Sequence, residues 1–142
     1  MNLDTDESLI KVVLDTNILV SAIAFGGKPE QILSLVLEED LLAVTSPILL
    51  AELREVLSKK FPLKEKDFRL TVKSIEEIFR VIQPKKSVEV LTDDDDNRVL
   101  EVAVEGGCKY IVTGDQDLLR LNSFKSIKIV TADEFLEIFN KN

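Results

Sequence analysis

The hydrophobic positions of the chain alternate between short unbroken runs and longer stretches in which apolar residues recur at helical spacing. Short apolar runs at residues 12–14, 41–44, 110–112 and 127–130 predict strands, and the run at 12–14, with two β-branched residues of three, is typical of a parallel strand covered on both faces. Helical spacing predicts helices over about 17–25, 29–40, 47–60 and 65–82, with later ones near 94–105 and after a capping box at 131–134. Residues 88–90 are a further candidate for a short extended segment. This alternation predicts an α/β fold in which helices flank a mostly parallel central sheet.

Polar side chains follow two of the predicted strands at the point where each strand ends. Asp15, Thr16 and Asn17 follow residues 12–14, and Thr113 and Asp115 follow residues 110–112. Open α/β sheets bind ligands beyond the carboxyl ends of their strands. We therefore expect these two strands to carry acids to one edge of the sheet.

The four consecutive acids at 93–96 are separated by helical phase. At about 100° per residue, Asp96 lies within roughly 10° of the centre of the apolar stripe, whereas Asp94 and Asp95 lie more than roughly 100° away. Asp93 precedes the helix and suits an N-cap. Asp96 is therefore expected on the core side, where an isolated carboxylate is costly unless it is paired or binds a metal.

Two other acids remain undecided by periodicity. Glu52 lies about 100° from the apolar stripe of its helix, at the flank of that stripe. Asp117 either caps a short helix around Leu118 or takes a direct part in a site.

Composition limits the possible chemistry. The chain has 142 residues, is 45% hydrophobic and 31% charged, and is predicted to form one domain over 1–142. It contains no histidine, which excludes Ser-His-Asp and Cys-His catalysis and histidine-bound zinc. Its one cysteine, Cys108, excludes an internal disulfide and is expected to be a small buried apolar residue.

The formal charge of −8 disfavours nucleic-acid binding by most of the surface, because phosphate contacts need Lys and Arg. The exception is the basic segment 58–73, in which Lys59 and Lys60 are candidate RNA contacts; the alternative is a solvated helix face. With one Tyr and no Trp, aromatic stacking on bases is expected to be scarce.

The chain is expected to be cytoplasmic and not to contact a membrane. No run approaches the roughly 20 apolar residues that span a bilayer. The N-terminus, with Asp4, Asp6 and Glu7, lacks the basic and apolar regions of a signal peptide.

Acids that converge at one sheet edge repel one another unless a cation neutralises them. Because the candidate ligands are all oxygen atoms, the expected ion is hard, Mg²⁺ or Mn²⁺.

Taken together, these segments resemble the PIN-domain ribonucleases, and most closely those that act as toxins of toxin–antitoxin systems. The resemblance covers nearly the whole chain and rests on Leu14-Asp15-Thr16-Asn17 with Ser21, Ser46-Pro47 through Glu52, Asp95-Asp96-Asn97, and Val112-Thr113-Gly114-Asp115-Gln116-Asp117-Leu118. It implies a three-layer sandwich with sheet order 3-2-1-4-5. It also implies a catalytic and metal-binding quartet of Asp15, Glu52, Asp96 and Asp115. Supporting polar groups or water-mediated ligands would be Asn17, Ser21, Thr113 and Asp117.

The function implied by this resemblance is Mg²⁺- or Mn²⁺-dependent hydrolysis of single-stranded RNA, leaving a 5′-phosphate and a 3′-hydroxyl. A homodimer and an antitoxin protein are the implied partners. Two alternatives remain: an aspartate-based phosphotransfer domain of receiver or phosphatase type, and a non-catalytic module that binds RNA or protein.

Overall fold

The computed structural model describes residues 8–141, so the N-terminal acids that bear on a signal peptide lie outside the described residues. Within them, six strands form one sheet in the order β3-β2-β1-β4-β6-β5. The strands are β1 (Lys11–Leu14), β2 (Leu42–Thr45), β3 (Arg80–Val81), β4 (Tyr110–Val112), β5 (Ser123–Phe124) and β6 (Ile127–Val130). All neighbouring strands pair in parallel except β5 and β6, which are antiparallel.

The predicted order 3-2-1-4-5 is confirmed for the five parallel strands, and β5 adds an antiparallel edge strand. The candidate extended segment at residues 88–90 is not a strand, and β3 lies instead at Arg80–Val81, where it pairs with Val44–Thr45 of β2. The helix predicted over 65–82 accordingly ends at Ile78. A two-residue strand carries no periodic signal, so its position depends on tertiary pairing.

Seven helices connect the described strands: α1 (Thr16–Ala24), α2 (Gly27–Leu37), α3 (Pro47–Lys60), α4 (Glu65–Ile78), α5 (Asp94–Glu105), α6 (Gln116–Leu121) and α7 (Ala132–Asn140). A 3₁₀ turn at Pro62–Lys64 separates α3 from α4. The predicted caps are confirmed at Ser46, with Pro47 after it, and at the Thr131–Glu134 capping box. No helix of residues 8–141 is long and apolar enough to cross a membrane.

Alternate residues of β1 face two separate apolar clusters. Val12 and Leu14 pack into one cluster together with residues of α1, α2, α4 and α7. Val13 faces the other cluster, to which α5 contributes most of the helical residues. The sheet therefore lies between two helical layers, as expected for the predicted three-layer sandwich. Cys108 is buried in the second cluster, as predicted.

The segment before α5 is attached to that helix by side chains. The backbone N–H groups of Val90 and Leu91 both donate to Oδ1 of Asn97, whose amide donates back to the Leu91 carbonyl at 2.7 Å. One helical turn later, Oε2 of Glu101 accepts a bond from the Val88 N–H at 2.8 Å. These bonds replace strand pairing in residues 88–91 and fix the rotation of α5.

Candidate functional site

Asp15 lies at the carboxyl end of β1 and is buried. Its Oδ1 accepts a hydrogen bond from the Thr16 N–H at 2.8 Å, so the same carboxylate caps α1. Its Oδ2 accepts bonds from the Thr113 hydroxyl at 2.7 Å and from the Asn17 amide at 3.1 Å. Burial raises the pKa of Asp15, and these hydrogen bonds oppose that rise.

Thr113 connects two acids on neighbouring strands. It is fully buried at the end of β4, and besides donating to Asp15 its Oγ1 accepts from the Asp115 N–H at 2.9 Å. The Gly114 N–H donates to Oδ1 of Asn17 at 3.1 Å, which joins the two strand ends a second time. The structure thus brings together the predicted polar residues of both strands.

Asp115, rather than Asp117, is the N-cap of α6. Its Oδ1 accepts from the N–H groups of Asp117 and Leu118 at 2.8 and 3.2 Å. The side chain of Asp117 is left at the surface, where Arg120 donates to it at 3.1 Å. The cap alternative for Asp117 is therefore wrong, because α6 begins at Gln116, two residues earlier than that cap would require.

Asp96 is the least satisfied carboxylate of this edge. It is 6% exposed, whereas Asp94 and Asp95 are exposed, as the helical phase predicts. Its Oδ2 is buried and has no hydrogen-bond partner among the described residues. Burial, followed by the negative charge of Asp115, raises the pKa of Asp96 to about 7.

Asp96, Asp115 and Asp117 can each direct one carboxylate oxygen so that the three oxygens lie within 4.8 Å of one another. Such a set of oxygen atoms suits a hard divalent cation. A cation bound among them would be a partner for the unpartnered oxygen of Asp96, which would act as one of its ligands. The residues present therefore fit a magnesium or manganese ion.

Glu52 reaches the same region from α3 and is half-buried. Burial raises its pKa, a hydrogen bond from the Thr16 side chain lowers it, and the charge of Asp95 raises it again. Thr16 was not among the site residues predicted from the sequence. The only available signal was its position directly after the acid that ends β1.

Most of these residues line a cleft with a volume of about 830 Å³, whereas Thr113 and Asp117 are not among its lining residues. Asp15, Glu52, Asp96 and Asp115 all line it, as do Asn17 and Ser21. Asp93 and Asp95, predicted to be a cap and a solvated residue, also line this cleft. Asp93 nevertheless caps α5 as expected, its Oδ1 accepting from the Asp95 N–H at 2.8 Å.

The two candidate RNA contacts differ in position. Lys59 is exposed and pairs with Glu55 at 2.7 Å, one turn back on α3. Lys60 lines the cleft and, among the described residues that do so, is the one base beside seven acids. Proximity to the acids therefore distinguishes Lys60 from its neighbour.

Comparison with known proteins agrees with this arrangement. The PIN domain family matches residues 11–117. The uncharacterised protein MJ1680 of Methanocaldococcus jannaschii is 35% identical over 145 aligned positions, covering 93% of both chains.

Two solved structures share the fold. VapBC2 from Rickettsia felis, bound to a DNA fragment from its promoter, aligns with a TM-score of 0.61 at 16% identity over 86% of this chain and 98% of that one. PAE2754 from Pyrobaculum aerophilum aligns with a TM-score of 0.61 at 18% identity over 94% and 99%. The match across most of the chain shows that it belongs to the PIN domain family.

Proposed function

We propose that this chain is a metal-dependent endoribonuclease that hydrolyses single-stranded RNA as the toxin component of a toxin–antitoxin pair. The observation that carries the proposal is the buried Oδ2 of Asp96, which has no partner among the described residues and lies beside Asp115 and Asp117. Nuclease activity is the general chemistry of PIN domains, the family to which the chain belongs.

In this proposal Asp15, Glu52, Asp96 and Asp115 hold Mg²⁺ or Mn²⁺, with Asp117 as an additional or water-mediated ligand. When bound, such an ion lowers the pKa of water and stabilises the charge that develops on the leaving oxygen. The carboxylates act as ligands and not as the general acid and base. The products are a 5′-phosphate and a 3′-hydroxyl.

The supporting residues have separate tasks. The Thr113 hydroxyl and the Asn17 amide orient Asp15 through their bonds to its Oδ2. The Thr16 side chain does the same for Glu52. Ser21 lies one turn beyond Asn17 on the wall of the cleft and is assigned a polar contact to substrate or water.

The proposal includes an antitoxin protein, a homodimer and a cytoplasmic location. The likeness in fold to the VapBC2 structure supports the antitoxin partner. Co-expression with the product of a neighbouring small reading frame, followed by co-purification and light scattering, tests both assembly states.

The direct test is cleavage of an RNA panel in Mg²⁺, in Mn²⁺ and after exhaustive chelation. We expect cleavage of single-stranded RNA that EDTA abolishes. Asp96→Asn is expected to lower the rate by more than the roughly 10- to 100-fold typical of outer-sphere changes at metal sites. Asp94→Asn is the matched control, because that exposed neighbour should leave cleavage nearly intact.

Other outcomes would favour the alternatives. Activity that survives chelation contradicts the metal mechanism, and equal losses in the two variants contradict the specific role of Asp96. A stable aspartyl phosphate formed from a small phosphodonor would indicate a phosphotransfer domain. RNA binding without turnover in either metal would indicate a non-catalytic module.

A further inference from the structure

One wall of the acidic cleft is apolar and carries an exposed aromatic ring. Phe25 is the C-cap residue directly after α1, and its side chain lines the cleft and is 76% exposed. The other Phe side chains and Tyr110 are buried or half-buried, so Phe25 is the one exposed aromatic ring among the described residues.

The position of Phe25 relative to the acids follows from two helices that begin at the same edge of the sheet. Asn17, Ser21 and Phe25 recur every four residues of α1 and all line the cleft. At 1.5 Å per residue, the eight residues from Asn17 to Phe25 span about 12 Å. On the facing helix α3, Glu52 and Lys60 are also eight residues apart.

The ring of Phe25 is held by an aromatic neighbour at this far end. Phe61 contacts it edge to face with ring centroids 5.7 Å apart, and Phe68 contacts Phe61 in the same way at 5.7 Å. The turn that follows Phe25 depends on Gly26 and Gly27, whose φ values of 81° and 71° disfavour other residues. One edge of the exposed ring is therefore supported by an aromatic neighbour, and its open surface remains available to a ligand.

The charges of the cleft indicate what this ring does. Within residues 8–141, seven acids and a single lysine line the cleft, so phosphate contacts alone give an RNA strand little affinity there. Stacking of a base on an aromatic ring supplies affinity without phosphate charge. It also tolerates any base, because every base has a π-face.

We propose that Phe25 is a base-stacking residue that positions single-stranded RNA, so that a base a few nucleotides from the scissile phosphate rests on its ring while Lys60, at the same end of the cleft, contacts the backbone beside that base. The inference rests on the proposed ribonuclease function. It is compatible with the expectation that base stacking is scarce, since Phe25 is the one exposed aromatic ring among the described residues.

The test combines a protein change with a matching RNA change. Cleavage is measured as kcat/KM for wild type, Phe25→Leu and Phe25→Tyr on one oligoribonucleotide and on copies that each carry a single abasic nucleotide. In wild type, one abasic position at a constant distance from the cut should lower kcat/KM about 10-fold, mainly through KM. Phe25→Leu should lower it by a similar factor on the intact RNA and be insensitive to that abasic position, because both changes remove the same contact. Phe25→Tyr should behave as wild type.

A matched control and a second measurement keep the result clear. Leu63→Ala removes an apolar side chain that is 96% exposed and does not line the cleft, and it should leave kcat/KM unchanged. Because the chain has no Trp, Phe25→Trp provides a single Trp that can be excited selectively over Tyr110, and single-stranded RNA should quench its emission, read by stopped flow before turnover. A double-stranded RNA and an abasic oligomer should quench it much less.

The two proposals fail in different ways. Absence of RNA cleavage by wild type in both metals contradicts the ribonuclease function, whereas the fluorescence titration still reports stacking. If wild type cleaves RNA and the losses from Phe25→Leu and the abasic nucleotide multiply, the ring does not contact a base. Normal RNA kinetics in Phe25→Leu would likewise overturn the inference and point to a protein-docking role for the ring.

Discussion

The hydroxyl of Thr113 donates a 2.7 Å hydrogen bond to Oδ2 of Asp15, between residues that follow the neighbouring strands β1 and β4. The same hydroxyl oxygen accepts from the Asp115 N–H at 2.9 Å. One buried side chain therefore determines the distance between two acids of the proposed metal site. Its loss should affect both the stability of the fold and the ionisation of Asp15.

Thr113→Val keeps the volume of the side chain but removes its donor and acceptor. We expect the free energy of unfolding to fall by about 2 kcal/mol at pH 7, the scale of a hydrogen bond to a charged group. Urea denaturation measures this change. Thr113→Ser keeps the hydroxyl and should lose about 1 kcal/mol or less, the scale of one buried methyl group. A serine variant as unstable as the valine variant would assign the effect to packing.

The metal-free protein should lose stability as pH rises towards neutrality. The pKa of Asp96 is raised to about 7 by burial and by Asp115, and that of Asp15 is also raised, chiefly by burial. These carboxyl groups therefore bind protons more tightly in the folded state than in the unfolded chain. Their contribution to the free energy of unfolding is complete below about pH 4 and is lost as the pH rises through their pKa values in the folded state.

Urea denaturation in a chelator at pH 5 and pH 8 measures this dependence. Asp96→Asn should make the curve flatter, with Asp94→Asn as a control that keeps the wild-type slope. A metal-free wild type that is more stable at pH 8 than at pH 5 would contradict this electrostatic description of the site.

Asp115 both caps α6 and contributes to the proposed metal site, and two substitutions separate these roles. Asp115→Asn keeps a side-chain oxygen for the cap, while it removes a charge that repels Asp96. In EDTA we expect this variant to melt at or above the wild-type temperature, and to gain less than wild type from Mg²⁺. Asp115→Ala also loses the cap and should be less stable than Asp115→Asn by about 1 kcal/mol. If Asp115→Asn melts well below wild type in EDTA, the residue is structural.

The adjacent lysines should differ in their effect on RNA binding. Lys60→Glu is expected to weaken binding and to reduce the salt dependence of log K by about one, because this side chain lines the cleft. Lys59→Glu should have a smaller effect, since Lys59 is already paired with Glu55. Binding at several salt concentrations measures both slopes. If log K has the same salt dependence in wild type and Lys60→Glu, the basic segment 58–73 is a solvated helix face that does not contact RNA.

Periodicity predicted the orientation of Asp96 correctly because α5 is long enough for a clear apolar stripe. The same reasoning left Glu52 undecided, since a residue at the flank of a stripe can lie either in a cleft or in solvent. The resemblance implied its place with the other acids, and the structure puts it in the cleft. Helical phase thus locates side chains relative to the core but not relative to a cleft, which also explains the omission of Asp93 and Asp95.

Short elements and exposed side chains were beyond sequence reasoning for physical reasons. The position of β3 depends on pairing with β2, and the cap of α6 depends on a helix boundary that lies two residues before the one predicted. Phe25 was missed because an apolar residue at the end of a helix carries no local signal for exposure, and only the tertiary structure shows its ring to be exposed at the cleft.

The hydrogen bonds of Asn97 have a consequence for how tightly a cation can be held. Asn97 follows Asp96 on α5 and is bound on both sides of its amide by residues 90–91. Turning α5 to carry the unpartnered carboxylate away from its neighbours would break those bonds, so the repulsion cannot relax through helix rotation. The acids are thereby preorganised: an arriving ion spends little of its binding free energy on rearranging the protein, and more of it appears as affinity.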